Sequence, residues 1–140
     1  MEEAMQVLVA TLLQLVLSQP QFVPAKGEAE IAPPAVHSVP QAEIAQAVCG
    51  RPCMVRAYYL PEKGIFLDAA LSPAEDVVAR SILFHEIVHH VQHLRNRYSD
   101  QPECDRLKNR EREAYVLQNQ YLLSNREFVK MAGSRFDCPS

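Results

Sequence analysis

The sequence predicts a single α+β domain, mostly helical, with a small antiparallel β-hairpin packed on a central helix. Three observations point there. Long stretches carry apolar residues at helical spacing between capping residues. Two short β-prone runs flank a Pro/Gly turn. The 140 residues, 48% of them hydrophobic and 22% charged, suffice for one core and leave little room for a second. Within residues 1–140, the segment 1–53 supplies two helices and a proline-rich connector. Residues 54–123 form the core that carries the chemistry, and 124–140 a short helix and tail.

Residues 5–17 form the first expected helix. Thr11, Gln14 and Ser18 recur as a narrow polar stripe on an otherwise apolar cylinder, so the helix should be mostly buried. The stretch is too short to cross a bilayer, which takes about 20 apolar residues. Glu2 and Glu3 precede it where a secretory signal would have Lys or Arg. A trimmed or atypical signal, or a helix through which copies of the chain form a homo-oligomer, are the alternatives.

Residues 19–40 hold Pro20, Pro24, Pro33, Pro34 and Pro40, which deny a helix its N–H ladder and predict an extended connector. Ser38 followed by Gln41 reads as a capping box, with Pro40 just inside the helix and Gly50 just past its end, so helix 2 spans 40–49. Residues 54–59 and 65–67 are β-prone around Pro61 and Gly64, and form the hairpin. Ser72, Pro73 and Glu75 mark another N-cap, from which helix 3 runs to about Asn96. A polar loop at 97–102 leads to helix 4 at 103–123. Asn125 caps a last helix at 126–132, closed by Gly133.

A net charge of −3 and a pI near 5.9 weigh against a nucleic-acid partner, which calls for a basic face. Cys49, Cys53, Cys104 and Cys138 allow three disulfide pairings. An even number in a small domain leans to disulfides and an oxidising compartment, periplasmic or secreted; four reduced thiols in the cytoplasm are the alternative. A four-cysteine zinc site would need a second close pair, and Cys104 and Cys138 are far apart.

The chemistry sits in helix 3, where His85, Glu86 and His89 form an HExxH pattern. Residues four apart lie one above the other, so both imidazoles leave the same face and can hold two corners of one metal tetrahedron. Glu86 is rotated about 100° from His85. It misses the metal and stands where a general base would take a proton from a water there. A catalytic zinc wants a third protein ligand. His93 continues the stripe but lies about 12 Å along the axis from His85. Helix 4 offers Glu111, on a semi-apolar side with Leu107, Ala114, Tyr115, Gln118, Tyr121 and Leu122, and Glu113 on a more polar side. Glu111 is the preferred ligand and Glu113 the alternative.

HExxH followed on a later helix by Glu111, Ala114 and Tyr115 resembles the gluzincin zinc metallopeptidases, especially the single-domain minigluzincins. The phrase at 81–92, with Glu111, Ala114, Tyr115 and Gln118, is similar to a small bacterial family of HExxH proteins. The likeness covers about residues 54–123. It implies a zincin-like fold, a Zn2+ cofactor held by His85, His89 and Glu111, and Glu86 as base. It also implies a peptide or protein substrate whose extended backbone pairs with the strand at 65–67. Many gluzincins carry an acidic or amide residue four positions after the glutamate; here that position is Tyr115, whose phenol can serve an imidazole or a substrate oxyanion.

The expected function is therefore zinc-dependent peptide hydrolysis, with Glu86 and Tyr115 catalytic. The alternative is a zinc-binding or protein-interaction module without catalysis, or a structural helical domain that assembles through helix 1. His90 and His93 are read as packing or surface residues that can also donate to an oxyanion. Asp68 reads as a turn residue, Tyr98 as a loop anchor, Arg95 and Arg97 as complements to a helix dipole, and Cys138 as a thiol that in principle blocks a zinc.

Overall fold

Helix α3 (Val77–Leu94) is the axis of the molecule because its apolar residues point in several directions. Leu83, Phe84, Ile87, Val88 and Val91 are all buried. Around them close Val9, Leu12, Leu13 and Val16 of α1 (Glu2–Leu17), Phe22 of the turn after it, and Ala114 and Leu117 of α4 (Glu103–Ser124). Each of these larger side chains, Ala114 aside, contributes about 1.5–3 kcal/mol on leaving water. α3 is thus held firmly, as a base for a site must be. Thr11 and Gln14 lie exposed on the outer side of α1, and Ser18 just past its end, but that side is broader than the expected narrow stripe. Gln6, Val7 and Leu15 are exposed with them and only Val9, Leu12, Leu13 and Val16 are fully buried, so the helix is not mostly buried. The remaining elements are α2 (Gln41–Cys49) and three strands, β1 (Val36–Val39), β2 (Ala57–Leu60) and β3 (Gly64–Asp68). This computed structural model describes residues 2–24, 26–133 and 138, and its class is the expected α+β.

β2 and β3 form the expected hairpin, in register from Ala57–Leu67 to Leu60–Gly64. Gly64 sits at φ 104°, and a Cβ there would collide with the Ala35 carbonyl, so the turn admits only glycine. The sheet is nevertheless mixed, because β1 pairs parallel with β3 from Val36–Ile65 to Val39–Asp68. β1 lies inside the proline-rich connector. Pro34 and Pro40 flank it without entering, which an edge strand tolerates. The strand order β1–β3–β2 corrects the expectation for residues 65–67: β3 is the centre of the sheet and has no edge to offer. β1 and β2 are the two edge strands, and β2 is the one beside the cleft. Asp68 N–H bonds the Arg56 carbonyl at 2.8 Å. The antiparallel alternation then turns the N–H and C=O of Ala57 and Tyr59 outward.

Several helix ends differ from expectation. Ser38 lies in β1 and caps nothing; Gln41 instead sends its amide to the Cys53 and Val55 carbonyls, each at 2.8 Å, tying α2 to the approach of β2. Gly50 closes α2 in the left-handed region, as expected. Ser72 and Pro73 begin a turn rather than α3, with Asp76 N–H on the Ser72 carbonyl. The true cap is Asp76, whose carboxylate accepts from Val78 N–H at 2.9 Å.

Residues 126–132 are not helical. The Asn119 side chain accepts from Met131 N–H at 2.8 Å and donates to its carbonyl at 2.9 Å, supplying both partners that a helix would have supplied. Gly133, expected to close that helix, instead passes so near the Tyr115 ring that a Cβ would collide with it. Two disulfides, Cys49–Cys53 and Cys104–Cys138, leave no free thiol, so neither a four-cysteine metal site nor a Cys138 switch is realised. Among the described residues no helix is long and apolar enough to cross a membrane.

Candidate metal centre

His85 and His89 leave α3 one turn apart and meet Glu111 from α4, brought close by fully buried Ala114. The two Nε2 atoms are 3.1 Å apart, and Glu111 Oε1 lies 3.3 Å from the His89 nitrogen and 2.5 Å from that of His85. A tetrahedral ion with bonds of 2.0–2.1 Å spaces its ligand atoms by about 3.3–3.4 Å. Two edges are near that spacing, and the third needs the carboxylate to swing out by less than about 1 Å. Among the described residues this is the one group of three His, Cys, Asp or Glu side chains able to hold a metal ion.

Buried hydrogen bonds fix which nitrogens face the centre. Ser81 donates to the Val78 carbonyl at 2.7 Å, so its oxygen is left to accept from Gln118 Nε2 at 3.1 Å. Gln118 Oε1 must then accept Nδ1–H of His85 at 2.9 Å. On the other ring, Gln92 Nε2 donates to the Arg110 carbonyl at 2.8 Å, which turns Gln92 Oε1 to accept Nδ1–H of His89 at 2.8 Å. Both rings therefore carry their proton on Nδ1 and present Nε2 to the same point.

Without an ion, that point is shared by protons. Burial pulls His89 down, but its hydrogen bond to Glu111 and the charges of Glu86 and Glu111 push it up to about 9. Burial pushes Glu111 up, yet the hydrogen bonds from His85 and His89 hold it far below the usual carboxylate range. Glu86 is raised, chiefly by burial and by Glu111, against the pull of both histidines.

The centre opens into a cleft of ≈ 570 Å³ lined by β2 on one side and by α3 and α4 on the other. Past Glu86 and Tyr115 it continues into a second lobe of ≈ 470 Å³, walled by Met131, Ala132 and Gly133. Glu86 and Tyr115 line both lobes. The Tyr115 ring packs edge-on against His85, centroids 4.4 Å apart. Both nitrogens of His85 are already engaged, so the phenol serves no imidazole, and its hydroxyl has no hydrogen-bond partner among the described residues.

The structure thus brings together His85, His89, Glu111, Glu86 and Tyr115. It sets Glu113 apart: that carboxylate is buried and receives Arg97 at 2.8 Å, Gln92 at 3.1 Å and Tyr98 at 3.3 Å. Arg97 is accordingly an ion-pair partner and not only a dipole complement. Glu113 was expected on the polar side because the covering contributed by Gln21 and the 97–98 loop has no signature in α4 itself. His90 faces the connector, with Nε2–H on the Ala32 carbonyl at 2.8 Å and Nδ1 accepting from Tyr59 at 2.9 Å. His93 is exposed on the rim. Asp68 is a turn residue that also pairs with Arg56 at 2.8 Å. Sequence reasoning missed the orienting roles of Gln92 and Gln118, though their spacings of three from His89 and seven from Glu111 place them on the ligand faces. It also missed β2 as the cleft strand. No protein-family model, curated protein or solved structure matches the chain.

Proposed function

We propose that the protein is a zinc-dependent metallopeptidase that hydrolyses peptide bonds in the manner of the gluzincins its HExxH and Glu111 resemble. The observation that carries this reading is the pair of buried glutamines that aim two Nε2 lone pairs at one point beside Glu111. Two imidazoles and one carboxylate, with a fourth position open to a cleft, make the donor set of a catalytic zinc; an all-oxygen set would suit magnesium or calcium. When bound, the ion would polarise the scissile carbonyl and acidify a water. Glu86 accepts the proton of the attacking water and delivers it to the leaving amine. The unpartnered Tyr115 hydroxyl donates to the oxyanion that develops. An extended substrate pairs with the outward N–H and C=O of Ala57 and Tyr59 on β2. The two disulfides support an oxidising setting, periplasmic or outside the cell.

Glu86→Gln tests the reading. The variant should keep stoichiometric zinc and lose about 10²–10⁴-fold in turnover of a quenched peptide library. Undiminished turnover would remove Glu86 from the chemistry. A zinc-loaded wild type that cuts no peptide would leave a metal-binding interaction module instead.

A further inference from the structure

The cleft has a charge of its own. The chain is acidic overall, at −3. Yet apart from Glu86 and Glu111, both committed to the centre, the charged side chains lining the two lobes are Arg51, Arg56 and Arg110. Asp68 neutralises Arg56 at 2.8 Å. Arg51 and Arg110 have no carboxylate partner among the described residues.

Arg110 is the more telling of the two. It is partly buried on α4, beside the ligand Glu111. Its Nε donates to the Arg97 carbonyl at 2.8 Å, and Nη2 reaches Ser99 Oγ at 3.4 Å. Both acceptors are neutral, so they aim the guanidinium without cancelling its charge. Arg106 precedes it by one helical turn, a like-charge spacing that works against the helix. Charges withdrawn from water are ordinarily paired. Arg110 lines the cleft without that partner, and His93, from α3 on the same side, adds a second N–H donor. The planar fork of an arginine matches a carboxylate with two parallel hydrogen bonds.

We propose that Arg110 receives a carboxylate of the substrate, so that the cleft selects acidic peptides; this rests on the peptidase reading for the word substrate, but not for the binding itself. Arg110 and His93 line only the first lobe, and Arg51 only the second, with Ala57 of β2 between them. A peptide antiparallel to β2 brings to Arg110 an acidic side chain on the N-terminal side of the scissile bond. A peptide laid parallel brings residues on the C-terminal side, where the terminal carboxylate also reaches.

The test uses the full-length, zinc-loaded Glu86→Gln protein, which holds peptides without cutting them, alone and combined with Arg110→Gln. Fluorescent peptides share one apolar centre and carry acidic flanks with an amidated end, neutral flanks with a free terminal carboxylate, or neutral flanks with an amidated end. Anisotropy at low salt should show about tenfold tighter binding of a carboxylate-bearing peptide than of the fully neutral one. The advantage should shrink with added salt. Which of the two carboxylate peptides gains identifies the source. Arg110→Gln should bring the ratio close to one, and Arg110→Lys, which keeps the charge but not the fork, should leave it intermediate. Zinc content and melting are followed to show that each variant is folded. A ratio near one in the parent, or a ratio untouched by Arg110→Gln, overturns the proposal. Wild-type turnover is read separately. Acidic peptides bound through Arg110 but never cut would sink the peptidase reading and leave the carboxylate subsite standing. Acidic and neutral peptides bound and cut alike would do the reverse.

Discussion

Replacing Gln118 by leucine removes the hydrogen bond that orients His85 while leaving all three metal ligands in place. Gln118 is 1% exposed, so the substitution alters the interior and not the cleft surface. Leucine is close in volume, and the cavity it leaves is small. What disappears is the acceptor of His85 Nδ1–H, at 2.9 Å, together with the donor to Ser81, at 3.1 Å. His85 is then free to rotate and to move its proton to Nε2, the atom the metal needs bare. Loss of such an orienting partner typically costs 10–100-fold in metal affinity, or about 1.4–2.7 kcal/mol. The unpaired N–H also weakens the fold by about 1–3 kcal/mol, so melting is followed in parallel. Gln118→Glu keeps an acceptor for the ring and should retain zinc at least as well as wild type. Competition against a chromophoric chelator reads both variants. Zinc binding by Gln118→Leu within about twofold of wild type, or equal losses in the two variants, would refute the claim that this glutamine sets the tautomer.

His89, pushed up to about 9, holds a proton through the neutral range that an ion must displace. Zinc uptake should release close to one proton there, and apparent affinity should climb about tenfold per pH unit until it levels near 9. Calorimetry in buffers of different ionisation enthalpy checks this, and a flat profile contradicts it. In the metal-free protein the same raised value stabilises the fold fully below the ordinary histidine range, and the benefit is lost as pH rises through about 9. Glu111→Ala should abolish stoichiometric zinc with little change in metal-free melting beyond the loss of its histidine contacts. Glu113→Ala should keep zinc and destabilise the fold by about 2 kcal/mol, because it removes the buried carboxylate that Arg97, Gln92 and Tyr98 share; metal analysis and urea titration showing the opposite order would reverse the ligand assignment. Removing the Cys104–Cys138 bridge, whose ends are 34 positions apart, should cost about 4 kcal/mol, against about 2 kcal/mol for Cys49–Cys53, 4 positions apart. Equal shifts in denaturant midpoint would show that chain closure does not govern these bridges.

What the sequence discloses is local. His85 and His89 share a face because of the helix period alone, and Glu111 follows from the apolar stripe that turns α4 inward. The hairpin is legible in Pro61 and Gly64, and the outer face of α1 in Thr11, Gln14 and Ser18. What escapes is set by partners distant along the chain. β1 is four residues long and exists because β3 offers it an edge. Residues 126–132 carry helix signals, but Asn119 takes the backbone N–H and carbonyl of Met131, and the segment is not helical. Glu113 looks solvated until Arg97, Gln92 and Gln21 converge on it. The glutamines behind the histidines are ordinary helix residues in the sequence; only the Val78 and Arg110 carbonyls decide which way their amides point.

Crystals grown with zinc and measured on both sides of the zinc absorption edge test the central claim most directly. A single strong anomalous peak should stand about 2.0–2.2 Å from His85 Nε2, His89 Nε2 and a Glu111 oxygen, open on its fourth side toward Glu86 and Tyr115. No peak at that point, or a peak bound elsewhere while the two rings turn apart, would contradict it.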